Sequence, residues 1–336
     1  MPMAMRWLSR GLLVWALLLL GGCAHFATPA PRNGPPAPAT VRVEPWSYGG
    51  EPARRVITQH YVVYATVVNN DDFLESMGQL MEGALTEYRR LAPQVCETDH
   101  PMECYLFATR PQWAQFTKDK TGPDSAIYLQ INRGGYTVRD WYVAYFLGDV
   151  GTFCVAAHEG FHQFAARHFR TRIPPFMEEG IACLFEDVSW DGRLPRWDLS
   201  VNYGRQAALR KAVDKGLLLP LKELAGMHAG QIISKTPDEI AGFYSQCWGF
   251  ARFLWQYNGG QYRPALQRIL ADAGDGTLFG AQATPFGGAL YWNPRSAQPM
   301  LEHYLQTDFT TIDRQYRAFL LNLAGATHEA GGTAGG

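Results

Sequence analysis

The stretch CVAAHEGFHQFAARH, Cys154 to His168, decides how the rest of the chain is read. It contains H-E-x-x-H, with His158 and His162 four residues apart and Glu159 beside the first. A helix turns about 100° per residue, so the two imidazoles project from one face and can meet one ion. Glu159 points to the side, where it can hold a water and take its proton. The plainer alternative is a helix carrying two ordinary histidines on a partly exposed face. The metal reading predicts a third protein ligand, because a zinc hydrolase uses three side chains and one open position.

Three suppliers compete for that place. His168 has the third-histidine spacing of the metzincins, and Met177 could be taken for their methionine turn. Those enzymes break the helix with a glycine where this chain has Ala165, and QFAARHF contains no breaker. In a continuous helix His168 lies about 15 Å along the axis from His158 and misses the ion. The second supplier is IPPFMEEGIACLFE, residues 173–186. Its two prolines end the preceding segment and open a second helix, whose first turn carries Glu178 and Glu179. Adjacent acids on a helix cannot face the same way, and pattern alone does not choose between them. The third supplier is sulfur: Cys154 is four residues before His158, and Cys183 four after Glu179. These two could form a disulfide across the site, stay free and buried, or ligate zinc in a closed structural site.

Working outward, HYVVYATV (60–67) reads as a strand. Phe73, Met77, Leu80, Met81, Ala84, Leu85, Tyr88 and Leu91 form a helical stripe. CYLFAT (104–109) predicts a strand and PQWAQFTKDK a helix, followed by strands at SAIYLQI (125–131), GYTV and WYVAYF (141–146). The helical reading takes over at about Asp149. After Phe185 the chain reads as mostly helical. TPDE (236–239) combines a cap at Thr236, Pro237 at the first helical position and Glu239 three residues after the cap. That helix runs through Tyr244 and Trp248 to Asn258-Gly259, with shorter ones at 203–215, 262–271 and 311–322. GTLFGAQATPFGGALYWNPRSAQP (276–299) reads as a long loop. Strands and a helix, then the histidine helix, then helices predict an α+β unit with a cleft between its parts.

HEGFHQF followed by PPFMEEGIACLFE resembles the peptidase MA-like members of the gluzincin metallopeptidases. Their pattern is H-E-x-x-H, a Pro-aromatic segment and E-G-x-A. The resemblance implies that Glu179, directly before Gly180, binds Zn²⁺ with His158 and His162, and that Ala182 completes the motif. YSQCWGFARFL (244–254) resembles the tyrosine-glutamine-x-tryptophan helix of the same group. The likeness covers roughly residues 60–320 and departs at Cys183 and in the loop 271–300. It implies a gluzincin-like zincin: a small mixed sheet, an active-site helix carrying HEGFH and a mainly helical C-terminal part. The implied reaction is zinc-dependent peptide-bond hydrolysis, with Glu159 as general base and a tyrosine, here Tyr244, as donor to the oxyanion. Tyr203 and His228 are alternatives, and the plainer role for Tyr244 is packing against Trp248. GGYTV (134–138) is expected to hold the substrate backbone as an added strand. No acidic group is evident for binding a free amine, which favours an endopeptidase. A non-catalytic binding or scaffold module and a zinc amidase acting on cell-wall peptide share the same pattern; an intact Glu159 counts against the former.

At the N-terminus Arg6 and Arg10 precede GLLVWALLLL, which is short for a bilayer span and ends in LGGC, Leu20 to Cys23. This resembles the lipobox of bacterial lipoproteins. It implies a signal peptide over 1–22, a lipid anchor on Cys23 and, with Ala24, an outer-membrane protein facing the periplasm. The Pro/Ala-rich stretch 23–50 is expected to be a tether, 51–325 the metallopeptidase-like domain with an α/β part to about 170, and 326–336 a disordered tail. In an exported protein, Cys96 and Cys104, which bracket a polar turn, could pair. The formal net charge of -1 argues against a nucleic-acid groove, and a chain that is 47% hydrophobic can bury a large core. Peptide or protein is the partner that the gluzincin resemblance implies.

Overall fold

The computed structural model describes residues 38–93, 100–132, 134–138, 140–280 and 293–325. The leader, Cys23, Cys96, the centre of the long loop and the C-terminal tail lie outside them.

Six strands form one mixed sheet: β1 (Arg42–Tyr48), β2 (Glu51–Ile57), β3 (Tyr61–Ala65), β4 (Met102–Phe107), β5 (Gly135–Val138) and β6 (Trp141–Tyr145). Their order is β1-β2-β3-β4-β6-β5. β3 and β6 flank β4 in parallel, and the outer pairs are antiparallel, with β5 at one edge (Tyr136 opposite Val143). α1 (Asp71–Leu91) joins β3 to β4. Asn70 Oδ1 caps it by accepting from Phe73 N, and Asp71 and Asp72 in the first turn and Arg89 and Arg90 in the last suit its dipole. The expected stripe from Phe73 to Leu91 is buried.

α2 (Arg110–Thr121), α3 (Ser125–Tyr128) and the strand pair β5–β6 lead into the histidine helix, α4 (Asp149–His168). α4 lies between α1 and β5–β6, and Tyr88 Oη donates to the Ala157 carbonyl at 2.6 Å. α5 (Pro175–Cys183) follows, with proline at its start as expected. Beyond a short hairpin, β7 (Val188–Asp191) and β8 (Leu194–Trp197), come α6 (Tyr203–Asp214), α7 (Leu221–Leu224), α8 (Ala229–Ile232), α9 (Pro237–Gly260), α10 (Arg263–Asp275), α11 (Ala297–Leu305) and α12 (Phe309–Ala324). α9 opens with the Thr236–Glu239 capping box and leaves helical geometry at Tyr257–Gly259, where Asn258-Gly259 predicts its end. α5 and α9 cross very closely. A Cβ on Gly180 would stand 2.2 Å from the Cys247 carbonyl oxygen, so only glycine permits this approach.

The α+β expectation holds, and four local readings need correction. β1 occupies most of 42–50, inside the stretch read as a tether, where the alternation of half-buried Glu44, Trp46 and Tyr48 with exposed Pro45 and Ser47 is masked by neighbouring Pro and Gly. SAIYLQI is a helical turn rather than a strand, because Gly122-Pro123-Asp124 winds the chain before it and Ile127 is half exposed. The hairpin β7–β8 interrupts the helical remainder; its Asp191-Gly192 step is a turn signal that carried no weight beside the helical periodicities. Finally, Cys104, Cys154, Cys183 and Cys247 are all free thiols. Cys104 is buried in β4 and donates to Gln163 Oε1 at 3.4 Å, which leaves no thiol there for the local bridge, while Cys154 and Cys183 take the free-thiol alternative of the three open to them. No helix among the described residues is long and apolar enough to cross a membrane.

Candidate metal centre

α4 and α5 bring three acceptor atoms together. His158 Nε2 lies 3.2 Å from His162 Nε2, Glu179 Oε2 is 3.3 Å from the former, and the same oxygen is 3.4 Å from the latter. The outer ring nitrogens are both occupied. His158 Nδ1 meets Glu186 Oε1 at 2.9 Å, and His162 Nδ1 meets Glu178 Oε1 at 3.0 Å. A carboxylate at Nδ1 keeps the imidazole proton there and leaves the Nε2 lone pair facing inward. Each carboxylate is fixed in turn. Glu186 Oε2 accepts from Arg205 Nε at 2.7 Å and from Asn202 Nδ2 at 2.9 Å, while Arg172 meets Glu178 at 3.0 Å.

The result is a triangle of lone pairs around one point. Glu179 Oε2 is buried and has no hydrogen-bond donor among the described residues. An orphaned carboxylate oxygen facing two imidazole nitrogens is costly without a positive charge among them. His158, His162 and Glu179 could therefore hold a metal ion.

Electrostatics point the same way. Burial would raise the Glu179 carboxyl, but the two imidazoles hold it well below the usual carboxylate range. Burial would likewise raise Glu186 and Glu178; Arg205 leads in lowering the first and Arg172 the second. Burial would lower the two histidines, yet the surrounding carboxylates, with Cys183 at His158, raise both, His162 to about 10. Carboxylates that stabilise an imidazolium also stabilise a bound cation.

Glu159 is buried on the side of α4 that faces β5. Thr137 Oγ1 lies 2.9 Å from its Oε2. Burial pushes the Glu159 carboxyl up, against the pull of the two histidines. Tyr244, on α9, has its ring centroid 6.3 Å from that of His158, and the Arg205 guanidinium sits 5.0 Å from the centre of its ring. Burial, then the charge of Glu179, pushes its hydroxyl pKa well up.

The other proposed residues fall elsewhere. His168 ends α4, buried and stacked on Phe164 at 4.6 Å, with neither ring nitrogen hydrogen-bonded among the described residues. Tyr203 is 72% exposed at the start of α6, and His228 is an exposed residue before α8. The Cys183 sulfur is 3.9 Å from His158 Nδ1, on the ring edge opposite the triangle. His158, Cys183 and Glu186 also converge, but Arg205 already neutralises Glu186 there, so a second cation would meet a guanidinium.

The adjacent acids resolve by taking opposite edges of one ring: Glu178 holds His162 Nδ1 and Glu179 faces Nε2. Glu186, Asn202, Arg205, Arg172 and Thr137 escape the sequence reading. Only Glu186 leaves a trace, as the last residue of the IPPFMEEGIACLFE segment, three residues past the end of α5. No protein-family model, curated protein or solved structure matches this chain, so the centre is known by its own geometry.

Proposed function

We propose that the chain is a zinc-dependent peptide-bond hydrolase of gluzincin type, acting as an endopeptidase at the bacterial cell envelope. The observation that carries the metal reading is the triangle His158 Nε2, His162 Nε2 and Glu179 Oε2, with edges of 3.2 to 3.4 Å. A tetrahedron with metal–ligand distances of about 2.0–2.1 Å has edges of about 3.3–3.4 Å, so the three atoms fit zinc. Two imidazoles and one carboxylate are also a donor set that zinc accepts in catalytic sites, with the fourth position left open.

Zinc, when bound, supplies Lewis acidity toward a water and a substrate carbonyl. The remaining chemistry belongs to the chain. Glu159 accepts the proton of the attacking water and passes it to the departing amine nitrogen. Glu178 and Glu186 keep both Nδ1 atoms protonated and both rings in one orientation. Tyr244, held neutral by its high pKa, donates to the oxyanion that forms at the carbonyl. β5 offers an outer edge with no strand partner among the described residues, where an extended peptide can add. Its residues, Gly135-Tyr136-Thr137-Val138, include no carboxylate to bind a terminal amine, which favours internal cleavage. A lipidated Cys23 would keep the reaction close to a membrane surface.

The test is zinc content by plasma mass spectrometry, followed by digestion of an unstructured peptide library. About one zinc per chain, with cleavage that disappears in Glu159→Ala while zinc is retained, is the expected result. A wild type that stays zinc-free after incubation with zinc sinks the proposal. A zinc-loaded wild type that cuts no peptide overturns the substrate class alone.

A further inference from the structure

β5 touches Glu159 twice. Gly135 and Thr137 are two residues apart and so share one face of the strand, the face toward α4. A Cβ on Gly135 would stand 2.9 Å from the Val143 carbonyl oxygen and 3.2 Å from Glu159 Cγ, so glycine lets the strand lie directly against the glutamate stem. One step along, Thr137 Oγ1 lies 2.9 Å from Glu159 Oε2 and 3.0 Å from the Glu159 carbonyl oxygen.

The hydroxyl has one hydrogen for those two acceptors. The carbonyl belongs to the helical ladder of α4, which already gives it a donor four residues on. The carboxylate has no other hydrogen-bond donor among the described residues and, when ionised, accepts the stronger bond. The hydrogen therefore goes to Oε2. Oε1 is left without a hydrogen-bond partner among the described residues, free to accept from a water.

We propose that Thr137 is a positioning residue for the general base: its hydroxyl clamps Oε2 of Glu159 so that Oε1 faces the reacting water. This rests on the assignment of Glu159 as base beside a zinc at His158, His162 and Glu179. It also makes the substrate-facing strand and the base one mechanical unit. A peptide backbone that pairs with the outer edge of β5 acts on Glu159 through a single hydroxyl, with no side chain in between. Binding at the edge and readiness of the base are thereby linked.

The experiment uses the full chain loaded with zinc, as wild type, Thr137→Val, Thr137→Ser and Glu159→Gln. Acetohydroxamate is the probe, since it chelates zinc and gives its proton to a carboxylate beside the metal. Zinc content, thermal midpoint, acetohydroxamate Kd and a crystal structure of each zinc-loaded form are measured. Thr137→Val should keep its zinc and midpoint but bind the hydroxamate about tenfold more weakly, and show Glu159 in more than one conformer. Thr137→Ser should return to within about twofold of wild type, with Glu159 in one conformer. Thr137→Ala replaces the valine variant should that one fail to fold. Wild-type affinity and an unmoved Glu159 in Thr137→Val would overturn the proposal. So would equal impairment in the serine and valine variants, which would assign the contact to packing of the threonine methyl. Loss of zinc from the wild type itself would be seen separately, as failure of the metal assignment beneath it.

Discussion

One helix carries three histidines in two opposite settings. Near the middle of α4, His158 and His162 each give Nδ1 to a carboxylate and point Nε2 at Glu179. At its C-terminal end His168 faces no carboxylate, stacks on Phe164, and keeps both ring nitrogens unbonded among the described residues. Surrounding charge raises the first two rings. Burial first, then Arg89 and Arg167, pushes His168 down to about 4. The residue type is the same, so the difference lies in what packs against it. α5 and the segment after it deliver Glu178, Glu179 and Glu186 to one part of the helix and nothing acidic to the other. A histidine on this helix joins a possible metal-binding group where a neighbouring segment brings an acid, and is core where none arrives.

Removing Glu179 should break the contrast most severely. Glu179→Ala is expected to lower zinc affinity on the order of 10³-fold, while His168→Ala leaves it unchanged; competition against a chelator of known affinity measures both. Retention in Glu179→Ala with loss in His168→Ala would return the third-ligand role to His168.

The opposite arm is sharpened by pH. His168 titrates near 6.5 in the unfolded chain and at about 4 when folded, so the unfolded state binds the extra proton between these values. Its neutral burial therefore contributes stability that is complete above about pH 6.5 and is lost as pH falls toward 4. Replacing it with an apolar ring of similar shape, His168→Phe, should leave stability near wild type at pH 8. By pH 4 it should give an advantage of about 3 kcal/mol, read from urea unfolding at a series of pH values. A gain independent of pH would mean that packing, not protonation, sets it.

Smaller effects are expected from the acids behind the ligands. Glu178→Gln and Glu186→Gln should each weaken zinc about 10- to 100-fold with the metal-to-chain ratio preserved at saturation. Gly180→Ala, which drives a methyl into the Cys247 carbonyl, should cost about 1–2 kcal/mol in urea unfolding. An unchanged midpoint there would show that α5 and α9 can separate freely.

What could be read in advance follows the range of the interaction. H-E-x-x-H and the stripe from Phe73 to Leu91 are periodic on one helix, and the Thr236–Glu239 box is a contact across three residues, so spacing reveals all of them. The choice of Glu179 over Glu178 came from resemblance, because both acids touch the histidine pair and only packing assigns the edges. Arg205 lies 47 residues from His158, and Asn202 reaches Glu186 across a hairpin that spacing did not disclose. The strand β1 was hidden for a related reason: a strand takes its meaning from its partner, and Pro and Gly around 42–50 suggested none.

The paired arginines behind the ligands also fix a charge state. Glu159, Glu178, Glu179 and Glu186 carry four negative charges when ionised, and Arg172 and Arg205 carry two positive ones. An ion of charge two at the triangle makes this group electrically neutral as a whole. A monovalent ion would leave buried negative charge, and a trivalent ion buried positive charge, and either excess is expensive in a medium of low dielectric. Were an ion bound with Glu159 ionised, selection by valence would thus be set by guanidinium groups outside the triangle.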